Sequence, residues 1–228
     1  MANLFADGFE SGDLTAWSSA FTDGGDLSAH ADAKLHGSYG LKCVIDDTTN
    51  IYVEDDTPNN EKRYRVRFYF NTNSLSMGDY DNFRPLYAGP LYIQLRYRTG
   101  LGTYQIFPIV KNDNNAEVSG TITNISNARH CIEVDYVVSS APGANDGSFS
   151  WWLDGAFIET QSGIDNDTKV ITMVWLGTFS ITANVSGTFF LDDYASNNDG
   201  SEIGLLHKWN AATITKWNGK LIKKWNGI

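Results

Sequence analysis

The sequence predicts an all-β fold, a two-sheet antiparallel jelly-roll sandwich. Its 228 residues include 21 glycines and only five prolines, and Asp-Gly, Asn-Asp and Gly-Asp turns separate short runs rich in Val, Ile, Tyr, Phe and Trp. Eight such runs suffice for two packed sheets, and a chain that is 42% hydrophobic can bury one large core. We predict one sandwich domain over residues 1–202, followed by a short tail over residues 203–228.

The predicted strands are runs of β-formers bounded by Gly, Asn, Asp or Pro. In chain order they cover residues 39–45, 63–70, 91–98, 103–110, 131–138, 148–153, 170–175 and 187–194. No amphipathic helical pattern stands among them.

Alternation within three of these strands assigns side chains to the two faces of a sheet, because successive side chains of a strand point in opposite directions. The inward set is Tyr64, Val66, Phe68, Phe70, Leu91, Ile93, Leu95, Tyr97, Ile132, Val134, Tyr136 and Val138. The outward set is Arg63, Arg65, Arg67, Tyr69, Tyr92, Gln94, Arg96, Arg98, Glu133 and Asp135. Trp151 and Trp152 must face opposite sides, with Trp152 outward. If these strands share a sheet, its outer face is a polar field of Arg, Tyr, Gln and carboxylate groups.

Charge is distributed unevenly along the chain. The net charge of −10 divides into −15 over residues 1–202 and +5 over residues 203–228. An acidic body repels phosphate, so we predict no nucleic-acid partner. No run approaches the roughly 20 apolar residues of a membrane span, and the first residues lack a secretory leader pattern. Cys43 and Cys131 lie in apolar strand patterns, which favours free buried thiols over a disulfide.

Five segments carry a resemblance to a known family. They are residues 5–17 (FADGFESGDLTAW), 36–41 (HGSYGL), 130–133 (HCIE), 152–155 (WLDG) and 191–193 (LDD). In this order they resemble concanavalin A-like lectin/glucanase domains, especially the laminin-G-like and polysaccharide-lyase-like ones. The resemblance spans nearly all of residues 4–196 and implies the jelly-roll fold. It says little about activity, because this architecture serves lectins, glycosidases, lyases and structural modules.

Relatives that hydrolyse glucans place two glutamates and an aspartate on one strand. Here that strand carries Glu133 and Asp135 on one face, about 7 Å apart, but the second glutamate is missing. We therefore expect salt bridges to Arg65, Arg67 or Arg96 rather than hydrolysis.

Lyase relatives pair a Tyr or His base with groups that neutralise a uronate carboxylate. Tyr92, Gln94, Arg96 and Arg67 are of the right types, whereas His130 lies outside the polar face and is predicted to be structural. We predict no catalytic residues and no Ser-His-Asp constellation, with a lyase-like enzyme as the alternative.

The resemblance also implies a calcium site that ties the first turn to the last strand. Asp7, Glu10, Asp192 and Asp193 stand at the matching positions and supply the hard oxygen ligands that Ca²⁺ takes. The alternative is an ordinary acidic turn.

A glycan-binding face is the predicted use of the polar sheet. Aromatic rings offer flat apolar area to sugars, and Arg, Gln and carboxylate groups offer polar contacts. The candidate residues are Tyr69, Tyr92, Gln94, Arg96, Arg67, Glu133, Asp135 and Trp152. The alternative is a face covered by a loop or by another subunit.

The tail is a repeat. Lys-Trp-Asn recurs with its tryptophans eight residues apart, and Asn-Gly follows Trp217 and Trp225. This pattern favours type I′ hairpins, or an arm that adds strands to a neighbour. It resembles Asn-Gly repeats at the ends of bacteriophage structural proteins. The candidate assembly residues are Trp209, Trp217, Trp225, Asn218, Gly219 and Asn226.

Together these patterns predict a non-catalytic structural or binding protein. The predicted setting is the surface of a phage virion, with other virion or self subunits as partners and surface glycans as possible ligands. The alternative is an extracellular glycan-binding module or a polysaccharide-lyase-like enzyme.

Overall fold

The computed structural model describes residues 3–206 and, for the backbone alone, residues 216–217 and 220–221. The sandwich strands are β1 Asn3–Asp7, β2 Ser19–Phe21, β3 Leu27–His30, β4 Gly40–Ile45, β5 Tyr52–Asp55, β6 Arg63–Asn71, β7 Asn82–Ala88, β8 Leu91–Arg98, β9 Thr103–Lys111, β10 Glu117–Ser119, β11 Thr123–Ile125, β12 Arg129–Val137, β13 Gly147–Leu153, β14 Ala156–Ile164, β15 Val174–Phe179 and β16 Gly187–Asn197. Two short 3₁₀ turns, Asp23–Gly25 and Ala31–Ala33, complete this part of the chain, so none of its helices could span a membrane.

The strands form two antiparallel sheets. Sheet A has the order β14-β13-β12-β6-β16-β4-β3, with β1 paired to β16. Sheet B has the order β10-β9-β8-β7-β15-β5-β2, with β11 paired to β9. Each order joins consecutive strands to strands from distant parts of the chain, as in β6 between β12 and β16 and β15 between β7 and β5, which is the connectivity of a jelly roll.

The core lies between the sheets and confirms the predicted alternation. Tyr64, Val66, Phe68 and Phe70 on β6 are fully buried, and the predicted inward residues of β8 and β12 pack into the same cluster. Trp151 is buried there too. Both cysteines are buried and free, as predicted.

One predicted strand is misplaced, and the condition for a single polar face is not met. The strand predicted over residues 170–175 is β15, Val174–Phe179, and Ile171 forms only an isolated bridge to Glu61. More important for the site, β6 and β12 lie in sheet A and β8 lies in sheet B. The predicted polar residues therefore occupy two outer faces on opposite sides of the sandwich.

In the tail, Lys216–Trp217 (β17) pairs antiparallel with Lys220–Leu221 (β18), and Trp217 lies opposite Lys220. Two residues separate the strands, which is the spacing expected of an Asn-Gly hairpin. The predicted assembly residues Trp209, Asn218, Gly219, Trp225 and Asn226, and the side chain of Trp217, lie outside the described residues.

Candidate functional site

The outer face of sheet A is covered by the chain itself. Residues 198–206, here called the strap, follow β16 and return across β6 and β12. The Glu133 carboxylate accepts the backbone N–H groups of Ile203 and Gly204 at 3.0 and 2.9 Å, and the Tyr69 hydroxyl accepts that of Leu206 at 2.8 Å. The Nη1 group of Arg65 donates to the Gly200 carbonyl at 3.2 Å. The strap thus occupies much of the face predicted to bind glycan.

The carboxylates that lie under the strap form ion pairs with arginines. Glu133 receives the Nε of Arg65 at 2.6 Å, and Asp135 receives Nη2 of Arg63 at 2.7 Å. Arg65 and Glu133 are each only 5% exposed, and the guanidinium of Arg65 lies 4.4 Å from the ring centroid of Trp152. The predicted salt bridge to Arg65 is confirmed. Glu133 and Asp135 thus serve as ion-pair partners of arginines within the fold.

A continuous row of aromatic side chains crosses the outer face of sheet B. We call it the aromatic stripe, and it consists of Phe21, Tyr52, Trp175, Tyr87, Phe179 and Tyr92. These rings come from β2, β5, β15, β7 and β8, which are neighbours in the sheet, and successive centroids lie 4.3 to 6.5 Å apart. Five strands spaced about 4.8 Å apart make the stripe about 19 Å long, enough for several sugar rings.

Register explains why these rings align. Phe21 lies opposite Tyr52, Trp175 opposite Tyr87, and Tyr87 opposite Tyr92. Sequence neighbours on β5, β7 and β15, such as Val53, Leu86 and Leu176, are fully buried in the core, which turns the rings beside them outward. Phe21 is 53% exposed, and Tyr52 and Trp175 are partly exposed. The stripe is therefore accessible, in contrast to the strap-covered face.

Two arginines on the outer face of sheet B lack carboxylate partners, one against the stripe and one farther along β8. The guanidinium of Arg84 lies 4.0 Å from the ring centroid of Tyr92, and that of Arg96 lies 5.3 Å from Phe107 while its Nε donates to Gln105 at 2.8 Å. Within residues 3–206 neither arginine forms an ion pair. Their positive charge therefore remains available to an anionic group.

Tyr92 lies at one end of the stripe and is buried there. Its hydroxyl donates to the Glu117 carboxylate, and its ring is fully buried under Arg84. Burial, together with this bond to Glu117, raises the pKa of Tyr92 well above its ordinary value. Such a phenol is a poor general base, and Gln94 and Arg96 lie farther along the same strand.

Two of the four predicted calcium ligands lie in a cluster with a histidine. Asp192 and Asp193, at a bulge in β16, lie with His36 so that one ligand atom of each falls within 4.8 Å of the others. Asp192 is fully buried, and its Oδ2 accepts the N–H groups of Leu35 and His36, both at 2.8 Å. Burial raises the pKa of Asp192 to about 7 and also raises that of Asp193.

The contacts of His36 define its tautomer. Nη1 of Arg129 lies 3.1 Å from His36 Nε2, and because a guanidinium only donates, Nε2 must accept. The proton then lies on Nδ1, which faces Asp193 Oδ2 at 2.5 Å. His36 therefore orients Asp193, and the carboxylates remain as the metal-ligating groups.

The other two predicted ligands hold loops. Asp7 accepts the Phe9 N–H and, at 2.8 Å, the Trp17 indole N–H, while Glu10 accepts the N–H groups of Ser38 and Tyr39. Neither belongs to the cluster of Asp192 and Asp193. Of the four predicted calcium ligands, Asp192 and Asp193 thus lie together, and the metal site stays a prediction.

A Ser-His-Asp arrangement, which the sequence did not predict, lies at one end of sheet A. His130 Nδ1 is 2.8 Å from Asp154 Oδ2, and Nε2 is 3.1 Å from Ser126 Oγ but also 3.2 Å from the Ser126 carbonyl oxygen. Nε2 contacts both the hydroxyl and the carbonyl oxygen of Ser126, and Asp154 also accepts the N–H of Cys131. The arrangement therefore fastens the turn before β12.

These observations define the class of the protein as a two-sheet, antiparallel jelly-roll β-sandwich. No protein-family model matches the chain, and no curated protein matches it either. Three solved structures illustrate the likeness. "Cellulose induced protein, Cip1" matches with a TM-score of 0.56 and 20% identity over 85% of this chain and 97% of that protein. The receptor binding domain of botulinum neurotoxin C/D mosaic serotype matches with a TM-score of 0.54 and 12% identity over 86% of this chain.

The binding domain of Paraclostridial Mosquitocidal Protein 1 matches with a TM-score of 0.51 and 11% identity. The chain spans 48% of each of these two toxin domains. At these identities the likeness is one of fold.

Proposed function

We propose that the protein is a non-catalytic glycan-binding module whose binding face is the aromatic stripe of sheet B. The observation that carries this proposal is the alignment of six rings across five neighbouring strands on a partly exposed face. Flat apolar rings match the faces of sugar rings, and a row of them suits a chain of sugars rather than one residue.

Local positive charge on this face favours an acidic glycan as the ligand, although the net charge of the body is negative. Arg84 lies against the stripe rings Tyr92 and Phe179, and Arg96 lies four residues beyond Tyr92 on β8. Neither forms an ion pair with the described carboxylates, although the chain carries an excess of acids. Guanidinium groups bind carboxylates and related anions through paired, charge-assisted hydrogen bonds. A uronate-containing chain would place its rings on the stripe and its carboxylates on these arginines.

The chemistry of the candidate catalytic residues supports a binding role. Glu133 and Asp135 are tied to Arg65 and Arg63 under the strap, and the Tyr92 hydroxyl has a raised pKa. The two toxin domains named above are described as binding domains, which agrees with this role. The alternative of a lyase is tested by incubating the protein with a polyuronate and following the ultraviolet absorbance of unsaturated products.

Calorimetric titration with a soluble polyuronate and a neutral β-glucan tests the proposed face. Trp175→Ala should weaken binding to both polymers by about tenfold or more, because it interrupts the stripe. Arg84→Ala should weaken only the binding of the polyuronate. Trp152→Ala, on the outer face of sheet A, is the matched control and should leave binding unchanged. The face is wrongly assigned if Trp175→Ala binds as the wild type does.

We also propose that Asp192 and Asp193 bind calcium. Burial raises the pKa of both carboxyl groups, the charge of Asp193 raises that of Asp192 further, and a hard divalent cation would favour the ionised forms. Calcium should therefore raise the melting temperature of the wild type and leave Asp193→Asn unchanged. Equal shifts in both proteins would place the calcium elsewhere.

A position on a virion, or alternatively an extracellular one, stays a prediction that rests on the resemblance of the tail repeat. The described residues contain no contact that bears on it.

A further inference from the structure

Strand β14 is an unprotected edge of sheet A. Among the described residues it pairs with β13 alone, and the pattern of burial along it is largely exposed. Its nine residues contain no proline and no lysine, and Glu159 is its one charged residue. Exposed edge strands usually carry such protective groups, because their free N–H and C=O groups attract other strands. The edge of β14 is therefore a template for pairing.

Bulges limit the part of this edge that is regular. The register between β13 and β14 shifts after Gly147 and again between Trp151 and Trp152. Between these shifts, residues 159–162 run opposite residues 148–151 without interruption. An added strand would be short, as is the segment 220–225 between the two Asn-Gly pairs of the tail.

An exposed apolar patch lies at the start of β14. Phe157 is 57% exposed and packs edge-on against Trp152 with ring centroids 5.7 Å apart. Leu205 and Leu206, at 38% and 41%, belong to the end of the strap, and Leu205 lies against Gly155 in the β13–β14 turn. Three of the eight large apolar side chains exposed among the described residues thus lie near one edge.

The described part of the sandwich ends at this patch with Leu206, and the tail follows it in sequence. Residues 207–228 follow Leu206 directly, and they carry five lysines and no acid. Acids bracket β14, with Asp154 before it and Asp165 and Asp167 after it. Charge therefore favours a basic segment along this edge.

We propose that β14 and the patch of Phe157, Leu205 and Leu206 bind the tail of a second copy of this chain. In a twofold arrangement the patch of one copy meets that of the other, which brings each tail beside the β14 edge of its partner. The tail then adds a short strand, and its lysines face the bracketing acids. The aromatic stripe lies on sheet B and stays free, so this inference is independent of the proposed function.

Light scattering on a sizing column tests the proposal with the full chain. A dimer of about 51 kDa is expected, twice the 25.3 kDa chain mass. Phe157→Lys should raise its dissociation constant by about tenfold or more, because it places a charge in the patch. The control is Leu101→Lys, which changes a side chain that is 60% exposed in the β8–β9 turn and should leave the dimer intact.

Zero-length crosslinking identifies the contact. A carbodiimide joins lysines to carboxylates, and a mixture of isotope-labelled and unlabelled chains separates links between copies from links within one. Links between copies are expected from tail lysines to Asp154, Asp165 or Asp167. A monomer at every concentration, a dimer that Phe157→Lys leaves unchanged, or tail links confined to one chain would each overturn the proposal.

Discussion

Replacement of Glu133 by glutamine removes the charge that anchors both Arg65 and the strap. The carboxylate accepts from Arg65 Nε at 2.6 Å and from the backbone of Ile203 and Gly204 at 3.0 and 2.9 Å. Arg65 would keep only Asp135, 3.8 Å away, as an ion-pair partner.

The expected loss follows from burial. Hydrogen bonds to charged groups contribute about 1.5 to 3 kcal/mol each, and leaving one charge of a buried pair without its partner costs about 3 to 5 kcal/mol. Glutamine keeps the shape and one acceptor, so we expect Glu133→Gln to lower the free energy of unfolding by about 2 to 4 kcal/mol. At about 2 to 4 °C per kcal/mol for a domain of this size, the melting temperature should fall by roughly 4 to 16 °C.

Urea and thermal unfolding followed by tryptophan fluorescence give both quantities. The matched control is Asp32→Asn, which removes a carboxylate 65% exposed and 3.5 Å from Lys42. An exposed pair contributes about 0 to 1 kcal/mol, so this variant should unfold close to the wild type. If Glu133→Gln and Asp32→Asn agree within about 0.5 kcal/mol, the strap is not held in the way described.

Two further perturbations test other parts of the fold. Burial raises the folded-state pKa of Asp192 to about 7 from the ordinary 3.8, so the folded state holds a proton that the unfolded state has lost between these values. In the presence of a metal chelator, the contribution of Asp192 to the free energy of unfolding should therefore fall as the pH rises from about 4 to 7. Urea titrations at several pH values should show a flatter pH dependence for Asp192→Ala. Gly177 has φ +147° and an added Cβ would lie 2.2 Å from the Ile51 carbonyl oxygen, so Gly177→Ala should destabilise by about 3 kcal/mol or more. Gly89→Ala, with φ +67° and open space around it, should cost only about 1 kcal/mol, and equal melting temperatures for the two variants would contradict the steric argument.

Local patterns predicted the faces of the longer strands and missed how the strands are arranged. Alternation in β6, β8 and β12 placed the core residues correctly, because burial on one face leaves a period of two in the sequence. Which strands share a sheet depends on pairing between distant segments, such as β6 with β16. That information is absent from any single strand. The residues expected on one polar face therefore lie on the outer faces of two different sheets.

The aromatic stripe was missed for a related reason. Phe21 and Tyr52 belong to strands of three and four residues, which are too short to show alternation. On β15 the spacing of Trp175 and Phe179 does place both on one face, and it was the available signal. The calcium site stays a prediction: the resemblance located acids of which Asp192 and Asp193 lie together, but not the N–H groups that Asp7, Glu10 and Asp192 accept.

The strap also has a mechanical consequence. It is the segment through which the tail is joined to the sandwich, so tension applied at the tail reaches the strap before it reaches β16. The strap is held by a few hydrogen bonds to Glu133, Tyr69 and Arg65, whereas β16 is bonded along both edges inside sheet A. Under load the strap should peel first and lengthen the tether while the stripe on sheet B keeps its shape. A protein held by its tail would thus absorb a pull without releasing what its other face has bound.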